Sequence, residues 1–196
     1  LPGTLDDFAH VNLNGYIADD KAAVMVKQMN IKNEQGYSLG FSAAFTDSIV
    51  NLRMVPYKPV IGYKQWTVNK DNSIQFNFVD KHLDANLALS NDKSFLKIFT
   101  EHDPNAAMDS TAHRHQEDVV VQLSDIHLQD WINISPFAPP LKGDVGADLR
   151  FRWNRAGITG NGYVDVDQLY SGRDRVGTFR LDLDVANDKS GALRAD

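Results

Sequence analysis

The sequence predicts an all-β protein whose strands form an antiparallel meander, and three observations support this prediction. First, apolar and polar residues alternate over long segments, which sends neighbouring side chains to opposite faces of a sheet. Second, candidate strands recur roughly every 10 to 14 residues, a spacing typical of all-β chains. Third, the segments between them are mostly short and carry Gly, Asn and Asp, which suits hairpin turns between consecutive strands.

The alternation is clearest in the last third of the chain. Residues 143–153, 158–166 and 177–185 each place apolar residues or Gly at one set of alternate positions and mostly polar residues at the other. Asn161-Gly162 is a dipeptide that favours a hairpin turn, but the alternation continues through it, so we predict one uninterrupted strand there. Other strands are predicted at 11–17, 24–26, 29–31, 39–45, 50–54, 66–68, 74–78, 83–89, 96–98 and 119–123.

One short helix is expected near residues 126–134. Leu128, Trp131 and Ile132 have the i, i+3, i+4 spacing of one helix face, and Asp125 is placed to act as the N-cap. The prolines that follow end the helix, because they lack a backbone donor and clash with the preceding turn.

This proline-rich stretch also gives the best boundary in the chain, near residue 140. Residues 1–140 form one antiparallel β segment, with a polar surface loop predicted at 101–118 and the helix near its end. Residues 141–196 are expected to continue the same sheet. The chain opens Leu1-Pro2-Gly3, without an initiator Met or a signal-peptide core, so we expect a piece of a longer protein.

Composition excludes several classes of partner and site. The 196 residues carry a net charge of -6, and the Lys and Arg residues are scattered, so we expect no nucleic-acid partner. Cysteine is absent, which excludes disulfides and thiolate metal sites. No apolar run reaches the ~20 residues that a membrane-spanning helix needs.

Four side chains in or beside the predicted loop are of types that bind metal ions: His102, Asp103, His113 and His115. A loop that holds its ligands loosely is a poor metal site, and Arg114 adds charge repulsion. We therefore predict no metal site.

Two carboxylate pairs lie on the polar sides of predicted strands, Asp165 with Asp167 and Asp182 with Asp184. A glycosidase needs two carboxyl groups that face each other across a cleft, whereas arginines on neighbouring strands explain these pairs by cross-strand charge pairing. The sequence also lacks nucleophile-elbow, phosphate-loop and zinc-protease motifs. We therefore predict neither an enzyme nor a bound cofactor.

The three tryptophans, Trp66, Trp131 and Trp153, permit two interpretations. Aromatic rings can stack on sugar rings, which suggests a glycan-binding module, but all three also lie in phase with apolar neighbours and so fit a packed core.

Residues 119–186 carry a family resemblance. A strand at 119–123 leads into the short helix candidate and Pro136-Phe137. The stretch 141–149 follows, with glycines inside it, and then a long strand that contains Gly160 and Gly162. This arrangement resembles the repeats of the TamB family of translocation and assembly module proteins, which are relatives of AsmA and the bridge-like lipid transporters. The resemblance covers about a third of the chain well and the rest loosely.

The resemblance implies an envelope protein of Gram-negative bacteria that is tethered to the inner membrane and crosses the periplasm. In that family the sheet curls into an open trough, the β-taco, with an apolar interior that conducts phospholipid. With the outer-membrane barrel partner TamA, the family is also implicated in assembling outer-membrane proteins. It implies no catalytic residues, and the loop at 101–118 departs from a regular repeat, which places an unbroken trough there in doubt.

The expected groove-lining residues share the apolar side of the predicted strands and are the candidates for contact with lipid. They are Phe41, Phe45, Phe76, Phe78, Leu87, Leu89, Leu149, Phe151, Trp153, Val164, Val166, Phe179, Leu181 and Leu183.

The alternation alone leaves the covering of the apolar side open. A curved sheet with a lipid-binding trough fits it, and so does a closed β-sandwich, in which two apolar faces cover each other. A structural spacer, whose sheet is continued by neighbouring repeats, fits it as well.

Overall fold

The structure is a computed structural model that describes residues 10–79, 81–102, 117–132, 140–154, 157–185 and 194–195. These residues form fourteen strands and one helix. The elements are β1 (His10–Ala18), β2 (Lys21–Met29), β3 (Gln35–Phe45), β4 (Ile49–Ile61), β5 (Lys64–Gln65), β6 (Thr67–Val68), β7 (Ser73–Asn77), β8 (His82–Asn91), β9 (Ser94–His102), β10 (Glu117–His127), α1 (Leu128–Ile132), β11 (Leu141–Asn154), β12 (Gly157–Ser171), β13 (Asp174–Val185) and β14 (Arg194–Ala195).

All strands in the described ranges belong to one open antiparallel sheet. Its order is β1-β2-β3-β4-β7-β8-β9-β10-β11-β12-β13-β14, while β5 pairs with β4 and β6 with β8. The predicted all-β meander with one short helix is therefore confirmed, and the alternative of a closed β-sandwich is wrong. Sandwich and open sheet share the same alternation, so only the pairing could distinguish them.

The sheet continues past three points at which the sequence suggested a turn, a loop or a boundary. Strand β12 runs through Asn161 and Gly162 without a turn, as the alternation predicts. Strands β9 and β10 pair with each other up to His102 and Glu117, so the expected loop at 101–118 begins and ends within strands and does not interrupt the sheet. Strand β10 then pairs with β11, which joins the segments on either side of residue 140.

Helix α1 spans Leu128–Ile132, within the predicted range of 126–134. The predicted N-cap is wrong, because Asp125 lies in a bulge of β10 with a positive φ of 50°. Aspartate tolerates this left-handed conformation better than most residues. Its carbonyl accepts a hydrogen bond of 2.6 Å from the Ser94 hydroxyl, which ties the bulge to β9.

Register shows that one face of the sheet is apolar from β1 to β13. Directly paired residues in an antiparallel sheet point to the same side, so a chain of pairs follows one face across the strands. One such row begins at Leu87 on β8 and crosses β9 to β13. Its members are Leu87, Ile98, Val121, Leu149, Gly162 and Leu183.

The core lies at the centre of this apolar face. Its buried members are Tyr37, Met54, Ile61, Trp66, Val68, Leu87, Leu89 and Ile126, and Trp131 of α1 is among the side chains packed against them.

The contact between Tyr37 on β3 and helix α1 requires a curved sheet. The Tyr37 hydroxyl lies 2.8 Å from the carbonyl oxygen of Asp130. Helix α1 directly follows β10, and β3 and β10 would lie roughly 24 Å apart in a flat sheet, at about 4.8 Å per strand. A tyrosine side chain and a five-residue helix do not span that gap, so the sheet curls to bring them together.

Candidate functional site

The candidate site is the apolar face of the sheet, and the predicted groove residues gather on it. Register places twelve of them on that one face: Phe41, Phe45, Phe76, Leu87, Leu89, Leu149, Phe151, Val164, Val166, Phe179, Leu181 and Leu183. Phe78 follows β7 and packs edge-to-face on Phe76, with ring centroids 5.0 Å apart. Trp153 pairs in register with Ile158, but its side chain lies outside the described part of the structure.

The centre of the apolar face is covered, which corrects two of the predictions. Leu87 is 8% exposed and Leu89 only 2%, because both belong to the core cluster. Trp66 and Trp131 pack in that cluster, with their rings 5.7 Å apart and nearly perpendicular. Leu87 and Leu89 therefore do not line an open groove in this structure. The alternation predicted their face correctly but not the covering residues, which are distant in sequence.

The N-terminal part of the same face is open. Ile17 is 86% exposed and Phe41 38%, although both lie on the apolar side. A hollow of about 580 Å³ lies there, and its lining is almost entirely apolar. It is formed by Gly15, Tyr16, Ile17, Ala22, Ala23, Val24, Phe41, Ala43 and Leu52.

Small side chains create this hollow. Ala22 and Ala43 are directly paired across β2 and β3, and Gly15 lies in the adjacent row opposite Val24. Their short side chains leave the floor close to the backbone, while larger side chains such as Phe41 and Leu52 rise at its margins. The hollow therefore results from the small size of these side chains, whereas the alternation pattern distinguishes only apolar from polar residues.

The C-terminal part of the face is also open. Phe179 is 49% exposed, and the neighbouring residues Val166 and Leu181 are partly exposed. Two glycines deepen this part of the face: Gly160 lies opposite Phe151, and Gly162 lies opposite Leu149. The covered centre therefore separates two open apolar stretches, one on β1–β4 and one on β11–β13.

The opposite face carries charges that pair across strands. Arg152 donates to both carboxylate oxygens of Asp118, at 2.7 and 3.0 Å, and Arg150 pairs with Glu101. The hydrogen bond to Glu101 raises the pKa of Arg150.

The carboxylate pairs considered in the sequence lie on this charged face. Arg180 forms an ion pair with Asp182 at 3.0 Å and lies over the Tyr163 ring, 4.3 Å from its centroid. Asp165 pairs in register with Arg180, and Asp167 accepts a hydrogen bond from Thr178. Asp165 and Asp167 therefore have cross-strand partners on β13, and Asp184 pairs in register with Arg194 of β14, whereas the ion pair of Asp182 lies along its own strand.

Polar contacts fasten helix α1 over the centre of the apolar face. Asp130 forms two of these contacts: its carbonyl accepts the hydrogen bond of the Tyr37 hydroxyl, and its carboxylate lies 2.6 Å from the Lys64 ammonium. In a third contact, the Gln129 side-chain oxygen accepts a hydrogen bond of 3.3 Å from the Gly143 N–H. Burial raises the pKa of Tyr37, and the adjacent Asp130 carboxylate raises it further, so the hydroxyl stays protonated and can donate. We call Tyr37, Lys64 and Asp130 the α1 latch.

The described residues bear on part of the metal-site and sugar-binding alternatives that the sequence raised. Of the four possible metal ligands, Asp103, His113 and His115 lie outside the described residues. The described residues of the chain contain no cluster suited to a metal ion. Trp66 is almost fully buried and unavailable to stack on a sugar. No helix in the described ranges is long and apolar enough to cross a membrane.

No protein-family model, curated protein or solved structure matches the chain. The TamB resemblance therefore stays a prediction from the residues that carry it.

Sequence reasoning missed the residues that shape the hollow and those that form the latch. Ala22 and Ala43 lie at apolar positions, but the expected groove residues were selected for their size. Small residues at facing positions of neighbouring strands are a signal that finds such a floor. Tyr37 and Asp130 are 93 positions apart, so no local pattern could have joined them.

Proposed function

We propose that this chain is a lipid-binding segment of an envelope-biogenesis protein, in which the apolar face of the sheet holds the acyl chains of phospholipids. The observation that carries the proposal is a single apolar face that runs from β1 to β13 of an open sheet. Most proteins of this size cover such a face completely, and here both ends are left uncovered.

Acyl chains suit this surface better than polar ligands do. The lining of the hollow between β1 and β4 exposes few polar atoms, so it offers few hydrogen-bond partners to a polar ligand. Burial of a methylene group contributes about 0.8 kcal/mol, so ten buried groups would contribute about 8 kcal/mol before the costs of association. Such binding depends on area more than on hydrogen bonds, which suits a groove that passes lipid along.

The setting of this function rests on the TamB resemblance. By that resemblance we place the chain in the periplasm, in a parent protein tethered to the inner membrane. Phospholipid is the proposed cargo, and a TamA-like outer-membrane barrel is the proposed partner in the assembly of outer-membrane proteins. No chemical step and no cofactor enter this proposal.

Filling the hollow tests the proposal. Ala43→Phe places a ring in the hollow, whereas Ala44→Phe makes the same change at the next residue of β3, on the opposite face. Native mass spectrometry of delipidated protein mixed with phosphatidylglycerol then counts the lipids bound. We expect lipid on the wild-type protein and on Ala44→Phe, and severalfold less on Ala43→Phe because the added ring takes up acyl-chain space.

A second matched pair examines the C-terminal stretch. Phe179→Lys puts a charge on the apolar side of β13, and Thr178→Lys puts the same charge on the polar side at the preceding, also exposed residue. Only Phe179→Lys should reduce lipid binding. Failure of the wild-type protein to take up any phospholipid would overturn the proposed function.

A further inference from the structure

We propose that the covered centre of the apolar face is itself an acyl-chain site, which Trp131 and helix α1 occupy when no lipid is bound. Loading of lipid would displace α1 and join the two open stretches into one groove. This inference rests on the proposed function. It adds that the α1 latch controls access of lipid to the centre, which lipid binding at the two open ends does not require.

The surface beneath α1 continues into both open stretches, by two different rows of paired residues. The row through Ala85, Ile74 and Leu52 on β8, β7 and β4 leads to Ala43 in the hollow. The row through Leu89 passes along Leu96, Leu123 and Ala147 to Val164 and Leu181, so buried and open residues belong to one line across the sheet. Leu96 and Leu123 are only partly buried. A site of the same chemistry as the open ends is therefore present at the centre, with side chains of the protein itself as the occupant.

The two covering elements are attached in different ways. Trp66 is fixed by the backbone, because its N–H donates to the Pro59 carbonyl at 2.8 Å and the adjoining strand β6 pairs with β8. Helix α1 has five residues, none of them buried, and a helix this short is not stable without its contacts. Apart from the packing of Trp131, three polar contacts among the described residues hold it: Tyr37 and Lys64 contact Asp130, and the Gln129 side-chain oxygen accepts a hydrogen bond of 3.3 Å from the Gly143 N–H. The Lys64–Asp130 ion pair is partly exposed. We infer that α1 leaves the face more easily than Trp66 does.

Gly62 sets how closely α1 can sit. A Cβ atom at this position would overlap the carbonyl oxygen of Asp130, so only glycine allows the observed contact. Its φ of +61° also favours glycine. Gly172 offers a matched control, because its φ of +64° is nearly the same and a Cβ atom there would meet nothing within 4 Å.

The experiment follows entry of acyl chains beneath α1 by quenching of tryptophan fluorescence. The chain has three tryptophans, so Trp153→Phe leaves only Trp66 and Trp131, which meet at the proposed site. The 196-residue chain in this background is mixed with phosphatidylglycerol vesicles that carry brominated acyl chains. We expect Gly62→Ala to speed the quenching by roughly tenfold, as loss of one hydrogen-bonded contact would allow, and Gly172→Ala to leave the rate unchanged.

A locked protein tests the reverse change and covers the case in which Gly62→Ala fails to fold. Since the chain has no native cysteine, Lys64→Cys with Asp130→Cys can be joined uniquely by a short bis-maleimide. The locked protein should lose the quenching while still binding lipid in the hollow that Ala43→Phe fills. If locking leaves the quenching intact, or if the unlocked protein binds lipid without quenching, the inference is overturned and the proposed function stands. If no lipid binds at all, both fail.

Discussion

At the scale of single residues, Tyr37 shows how one side chain couples distant parts of the sheet. It belongs to the core through its ring and reaches α1 through its hydroxyl, which donates to the Asp130 carbonyl at 2.8 Å. A buried hydroxyl without its partner is costly, and the net stabilisation from such a hydrogen bond is about 1 kcal/mol. The same burial raises the pKa of Tyr37.

The raised pKa has a consequence for stability at alkaline pH. In the unfolded chain a tyrosine ionises near pH 10, whereas folded Tyr37 resists ionisation. Its contribution is therefore fully present below about pH 10 and is lost as the pH rises from there towards the folded pKa. We expect Tyr37→Phe to lower the free energy of unfolding by about 1 kcal/mol at neutral pH and to weaken its fall above about pH 10.

Denaturant unfolding at several pH values checks this expectation for wild-type protein and Tyr37→Phe. An equal alkaline loss of stability in the two proteins would show that the Tyr37 hydroxyl is not held as described.

Val120 shows a different limit of residue patterns. It lies on the charged face of β10, paired with Phe99 and Arg150, yet it is fully buried. Long side chains such as arginine can cover an apolar neighbour with their methylene groups while the charge stays in water. Three consecutive valines show no alternation, so register decides both the side on which Val120 lies and the neighbours that cover it.

At the scale of elements, strand β12 depends on a glycine that allows two backbones to approach. A Cβ atom at Gly162 would overlap the Asp148 carbonyl oxygen on β11, and its φ of +147° is unusual for other residues. The dipeptide Asn161-Gly162 therefore serves close packing within a strand and not a turn. Turn chemistry was informative elsewhere: Asn33, Asp92 and Gly172 adopt positive φ between strands, in segments predicted as turns.

Matched alanine substitutions test the role of Gly162. Gly177 on β13 also has a positive φ, of +118°, but a Cβ atom there meets nothing within 4 Å. Both changes carry a backbone cost, and only Gly162→Ala adds a clash with β11. We expect Gly162→Ala to lower the free energy of unfolding by roughly 1–3 kcal/mol more than Gly177→Ala. Denaturant unfolding measures the difference, and equal costs would refute close packing at Gly162.

At the scale of the whole molecule, a packed centre and two open ends share one apolar face. This division predicts unequal costs for the same substitution. Leu89→Ala truncates a core side chain that is 2% exposed. We expect this change to lower the free energy of unfolding by about 2–5 kcal/mol, as is typical of such substitutions. Leu181→Ala removes a partly exposed side chain from the same row, so we expect a cost below about 1.5 kcal/mol.

Free energies of unfolding from chemical denaturation distinguish the two variants. Similar large costs at Leu89 and Leu181 would mean that the C-terminal stretch is packed as tightly as the centre, which would leave no open surface there for an acyl chain.

The sequence by itself determined most strand positions, the meander and the side of the sheet for the twelve groove residues that register places. The separate strand predicted at 29–31 is wrong, because β2 runs from Lys21 to Met29 and residues 30–34 connect it to β3. These properties follow from local rules: a period of two, turn residues and short connections. The alternation even outweighed the turn dipeptide at Gly162. It also placed Leu149, Phe151, Leu181 and Leu183 on a common face, as register shows.

Only the tertiary structure decided what covers that face. Trp66 and Tyr37 belong to the same core cluster as Leu89, and Trp131 packs against that cluster. These contacts form because the sheet curls, which brings Trp131 to residues more than 60 positions away in the chain. Alternation specifies a direction relative to the sheet but carries no information on what lies in that direction. The difference between open groove and buried core is therefore a property of long-range contacts, and the function proposed for this chain depends on that difference.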